Sequence, residues 1–185
     1  MPNWMSHALE ISGPFEEVEK FFNTIGDGMS SEDNSLIDFE LLIKPPDNLY
    51  RGNIGDAERE YCKKNNVPNW YDWNIENWGT KWNAAYQKLH YSQDGKPVLF
   101  FETAWSVPLP ILMKIEELVK DQFTNIEIYG EFLEEGYESG GTFLINKDGG
   151  DVRKVNTDYI IDKDKQEIHR SFQDDEGEDF DFKYL

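Results

Sequence analysis

The sequence predicts an α+β fold, an antiparallel sheet with two packing helices, and three observations carry that prediction. Apolar residues at 15, 18, 21, 22 and 25, and again at 111, 112, 115, 118 and 119, recur at the helical period and mark two amphipathic helices. Several runs around them have strand character. Asp94-Gly95 lies between two of these runs, a strong hairpin signal.

Taken in order, residues 7–12 alternate as a short strand that ends at Gly13-Pro14. The first helix follows and stops at Gly26. Residues 36–44 are apolar and are expected to form a strand, closed by Pro45-Pro46. An insertion over 45–80 then carries a polar helix at 56–65 and a tryptophan-rich helix broken at Gly79. Strands at 82–91 and 97–105 flank the Asp-Gly turn. Ser106 is placed to cap the second helix, with Pro108 and Pro110 in its first turn, where missing amide hydrogens cost least. Residues 126–133 make a further strand with Ile126, Ile128 and Phe132 facing inward.

This order matches a ferredoxin-like split βαβ sheet with a large insertion. After residue 133 the chain reads as additional β-hairpins, around turns at 147–151 and 162–165. One domain spans 1–173, and 174–185 is an acidic tail or a terminal strand.

Four of the six tryptophans (Trp70, Trp73, Trp78 and Trp82) crowd into fourteen residues, and Trp105 answers them. Each such ring can bury ~150–250 Å², so the first expectation is an aromatic core. The alternative is a stacking platform for a sugar or base, built from Trp70, Asp72, Trp73, Asn77 and Lys81, with Asn74 beside them.

The net charge of −19 is the strongest compositional fact. Such a chain repels nucleic acid and anionic membrane and is steered towards basic surfaces. The start, MPNWMSHALEISG, has no basic opening and no apolar run, so no signal peptide is expected. No stretch approaches the ~20 apolar residues of a membrane span, so a cytoplasmic location is expected.

A search for chemistry finds no catalytic constellation. His7, His90 and His169 lack ligand spacing, and the lone Cys62 forms neither a disulfide framework nor a multi-cysteine metal site. Asp162-x-Asp164 opens like a calcium loop, but Glu167 and Gln173 occupy the positions that need Gly and Glu. Asp72 and Glu76 share a helical face, a weak acid–base signal in so acidic a chain. No metal or cofactor is implied.

Met1-Pro2-Asn3-Trp4, the run from Tyr71-Asp72-Trp73 to Asn77-Trp78-Gly79-Thr80-Lys81-Trp82, and Thr103-Ala104-Trp105-Ser106 with Pro108 resemble the YubB-like family of phages and plasmids. The resemblance covers residues 1–133. It implies a ferredoxin-like domain of mobile-element origin and brings no site residues with it. Charge and implied origin together suggest a non-catalytic inhibitor that mimics nucleic acid and occupies a basic surface of a host nucleic-acid-targeting defence protein. The acids expected to face that partner are Glu131, Glu134, Glu135, Asp174, Asp175, Glu176, Glu178 and Asp179.

Overall fold

The computed structural model describes residues 3–29, 35–136, 139–162, 167–174, 179–180 and 183–185, with backbone alone over 151–162, 167–174 and 179–180. In chain order the elements are β1 (Trp4–Ser12), α1 (Phe15–Ile25), α2 (Phe39–Leu42), α3 (Asp56–Asn65), α4 (Trp70–Trp78), β2 (Ala85–Tyr91) and β3 (Pro97–Ala104). They continue with α5 (Leu109–Gln122), β4 (Glu127–Glu134), β5 (Ser139–Asn146), β6 (Gly149–Asp162), β7 (Glu167–Asp174) and β8 (Asp179–Phe180). The strands form one antiparallel sheet in the order β2-β3-β1-β4-β5-β6-β7-β8.

Strand β1 lies between β3 and β4, with Leu9 opposite Leu99 of β3 and Ile11 opposite Ile128 of β4. Side chains alternate across the sheet, so Met5, Leu9 and Ile11 share a face with Phe101, Phe132, Phe143 and Ile145. That face meets the apolar stripes of α1 (Val18, Phe21, Phe22, Ile25) and α5 (Ile111, Leu112, Ile115, Val119) in one core. Gly130 of β4 is fitted to this packing, because a Cβ there would lie 2.0 Å from the Phe143 ring.

The expected strand at 36–44 is instead buried coil followed by the short helix α2. Short apolar runs do not distinguish strand from helix by periodicity, and polar side chains decide the case. Asp38 accepts from Glu40 N at 2.9 Å and caps α2. The Gln87 side chain accepts from Ile37 N and donates to Ile37 O, so one amide satisfies the backbone a neighbouring strand would have paired. Ser106 does not cap α5: its hydroxyl donates to Gly79 O at 2.5 Å, tying the end of α4 to the entry of α5.

Helix α4 begins at Asn69, whose side chain accepts from Asp72 N, and ends at Gly79 with φ 77°. It turns Trp78 into the core, where the indole N–H donates to Ile43 O at 3.0 Å. Among the described residues no helix is long and apolar enough to cross a membrane.

Candidate binding surface

The tryptophan cluster divides into an interior and an exterior. Trp78 is buried, and Trp73 packs edge-on against it at 5.5 Å. The Asn77 side chain donates to Trp73 O within its own helix. Trp73 and Asn77 are thus half-buried and engaged in the fold, Trp73 against the core and Asn77 on its own helix.

Trp70, Asp72 and Lys81 do lie with other exposed groups along one edge. Both oxygens of Asp72 are 2.7 Å from Arg59, and that hydrogen bond holds the carboxyl below its ordinary range. Arg59 stands 5.1 Å over Tyr71. Lys81 sits among three rings, 4.5 Å from Trp82, 5.0 Å from Trp105 and 5.7 Å from Tyr71. The strip continues from Trp82 to Trp4 at 5.8 Å and from Trp4 to Tyr86 at 5.3 Å. Its two most open rings, Tyr86 (66% exposed) and Trp105 (44% exposed), also have positive φ, 50° and 74°. An aromatic side chain rarely adopts that conformation, and strain of this kind persists only where the surroundings impose it. At Tyr86 the cause is local: the β2–β3 register shifts between Ala85 and Lys88.

The expected partner-facing acids fare differently. Glu131 is fully buried and Glu134 is 8% exposed, so neither presents a carboxylate to a partner. Glu134 is spent inside the protein, accepting from Asn3 Nδ2 at 2.9 Å and Gly136 N at 2.7 Å. Only Glu135 of this group is exposed. Asp175, Glu176 and Glu178 lie outside the described residues, as do the side chains of Asp174 and Asp179.

Register brings together what the linear sequence keeps apart. On the sheet face away from the helices, Glu10 of β1 lies beside Tyr129 and Ala8 beside Glu131, while Ser6 lies between Glu102 and Leu133. The residues 183–185 cross this face. Lys183 N and Tyr184 N donate to the two oxygens of Glu131 at 2.6 and 2.7 Å, and the Tyr129 hydroxyl adds a third bond at 3.1 Å. Glu10 receives Lys96 Nζ at 3.0 Å, Lys183 Nζ at 2.9 Å and the Tyr184 hydroxyl. Burial pushes the Glu10 carboxyl up, but the bonds from Tyr184, Lys183 and Lys96 outweigh it and hold the group at about 2. Beside Glu131, burial first and then the neighbouring carboxylate push the Tyr129 hydroxyl well above its usual range.

Glu102 behaves in the opposite way. It has no hydrogen-bond or ion-pair partner among the described residues, and burial and the Glu135 charge raise its pKa against a smaller pull from Lys88. Glu135 follows the end of β4, its N–H donating to Trp4 O at 2.9 Å. Two adjoining clefts of about 280 and 560 Å³ open here, both lined by Tyr86, Lys88 and Glu102, the smaller also by Ser6, His90 and Leu185.

Sequence reasoning singled out neither Glu10 nor Glu102 nor Tyr86. Their one signal is strand alternation, which assigns faces only once the register is known. His7, for which no ligand role is expected, is a strand residue fully buried against Phe101 and bonded to Thr103 at 2.8 Å, and burial lowers its pKa to about 3. Among the described residues no group of three or more His, Cys, Asp or Glu is placed to hold a metal ion. No family model matches the chain, and no curated protein or solved structure is similar to it.

Proposed function

We propose that this chain is a non-catalytic binding protein that engages a basic surface on another protein, of the kind with which cytoplasmic nucleic-acid-handling proteins hold their substrate. The observation that carries the reading is the strip from Tyr71 and Trp105 through Trp82 and Trp4 to Tyr86, open at Trp105 and Tyr86 and half-buried between them, beside the carboxylates Glu102 and Glu135, which are unpaired among the described residues. Trp, Tyr and Arg dominate the energetic centres of protein interfaces. A net charge of −19 around such a strip steers it towards basic partners and away from nucleic acid itself.

The same reading takes the fold as ferredoxin-like. The order β2-β3-β1-β4, with α1 and α5 as the two crossovers, supports it, and β5 to β8 then form a C-terminal extension. The likeness of Met1–Trp4 and of the Asn77–Trp82 run to mobile-element proteins points to a defence protein as the partner class.

Capture of partners from a host extract, repeated across salt and with duplex DNA as competitor, tests the function. Bound protein is expected to leave as salt rises and to be displaced by DNA. Capture indifferent to both overturns the reading. A second reading, a neutral sugar stacked on Trp105, is favoured by that ring's exposure beside Lys81. A thermal shift with oligosaccharides that disappears in Trp105→Gly would replace the first reading with the second.

A further inference from the structure

We infer that the cleft between Tyr86 and Glu102 is a receptor for an arginine side chain of the basic partner, with the Tyr86 and Trp4 rings offering faces to the guanidinium and Glu102 and Glu135 its counter-charges. The inference rests on the function proposed above and names the point of contact.

Three features carry it. Glu102 lines both clefts, and partial burial together with the Glu135 charge makes its ionisation costly; neither glutamate has an ion-pair partner among the described residues, and Lys88 offsets Glu102 only in part. An arriving cation therefore relieves a repulsion that is already present. The ring of Tyr86 stands open over the same two clefts, held there by a register shift and a positive φ. The same face already pairs with one lysine in cis: Lys183 meets Glu10 at 2.9 Å, and Leu185 lines the smaller cleft beside Glu102. Two carboxylates beside flat rings suit a guanidinium better than an ammonium, because its planar fork pairs with carboxylates and stacks on aromatics together. Glu102 in the lining and the Glu135 charge near it disfavour a phosphate backbone, with Lys88 opposing them.

The test is binding of a hexa-arginine peptide at physiological salt, followed calorimetrically, with thermal melts to show that each variant is folded. Glu102→Gln with Glu135→Gln is expected to weaken binding about tenfold. Tyr86→Asn, which removes the ring and tolerates the positive φ, is expected to weaken it about threefold to tenfold. Glu16→Gln with Glu19→Gln on α1 removes the same charge elsewhere and is expected to leave the affinity within about twofold. Hexa-lysine is expected to bind more weakly than hexa-arginine.

Equal losses in the two double variants would reduce the binding to diffuse attraction and overturn the receptor while leaving the proposed function standing. Unchanged affinity in Tyr86→Asn, or equal affinity for the two peptides, would also overturn it. Absence of hexa-arginine binding overturns the receptor outright, and the DNA-competed capture then judges the function separately.

Discussion

Two pairs of glutamates, three of the four on one sheet face and Glu135 in the turn that follows β4, meet opposite fates. Glu10 and Glu131 lie under the residues 183–185, surrounded by ammonium, hydroxyl and backbone N–H donors. Glu102 and Glu135 lie a few positions away, and among the described residues neither receives such a donor. Glu10, Glu131 and Glu102 share residue type and sheet face, and Glu135 stands in the turn just beyond β4, so the main difference is what covers them. A buried carboxylate is tolerable when its lone pairs are filled and costly when they are not. The inner pair therefore belongs to the fold, and the outer pair is left for something outside it.

The largest expected effect separates the pairs directly. Glu131→Ala leaves Lys183 N, Tyr184 N and the Tyr129 hydroxyl without their acceptor, and should cost about 3–5 kcal/mol by urea denaturation. Glu102→Ala should stay within about 1 kcal/mol. Similar losses at both positions would break the comparison.

Acid titration sharpens it. Glu10 has its carboxyl lowered from 4.5 to about 2, so its stabilisation is complete above pH 4.5 and is lost as pH falls towards 2. The loss amounts to roughly 3 kcal/mol. His7 contributes a separate slope that begins earlier. Its pKa falls from 6.5 to about 3 on burial, so the unfolded chain takes up a proton the folded one refuses, and stability declines as pH drops below 6.5. Stability curves of wild type and Glu10→Gln should therefore run parallel above pH 4.5 and converge below it. Parallel curves throughout would remove Glu10 from the account.

The smallest effect has a telling sign. Glu102 has a raised carboxyl, so its ionised form opposes folding at neutral pH. Glu102→Gln should change stability by no more than about 0.5 kcal/mol, in the stabilising direction, in the same denaturation assay. A clear destabilisation would mean that Glu102 already serves the fold.

Much of the architecture is legible in the chain because local rules act within a few residues. The stripes of α1 and α5, the polar helix α3, the stop of α4 at Gly79 and the turn at Asp94-Gly95 all follow from period, glycine and proline. What escapes depends on distant partners. Residues 36–44 miss strand pairing, with the Gln87 and Asn83 side chains satisfying Ile37 and Phe39 from fifty and forty-four residues away. Glu131 reads as a surface acid because Ile128 and Phe132 face inward, and nothing local tells that Lys183 and Tyr184 return to cover the opposite face. The tryptophans split because Trp73 and Trp78 lie on the core side of α4, whereas Trp82 follows that helix and joins Trp4 and Trp105 in the strip.

The most direct measurement is a carboxyl-carbon NMR titration of Glu10 and Glu102 in the intact protein. Glu10 should titrate at about 2 and Glu102 above the ordinary 4.5. A Glu102 that titrates at or below 4.5 would already hold a cation of its own, and the vacancy on which the account depends would be gone.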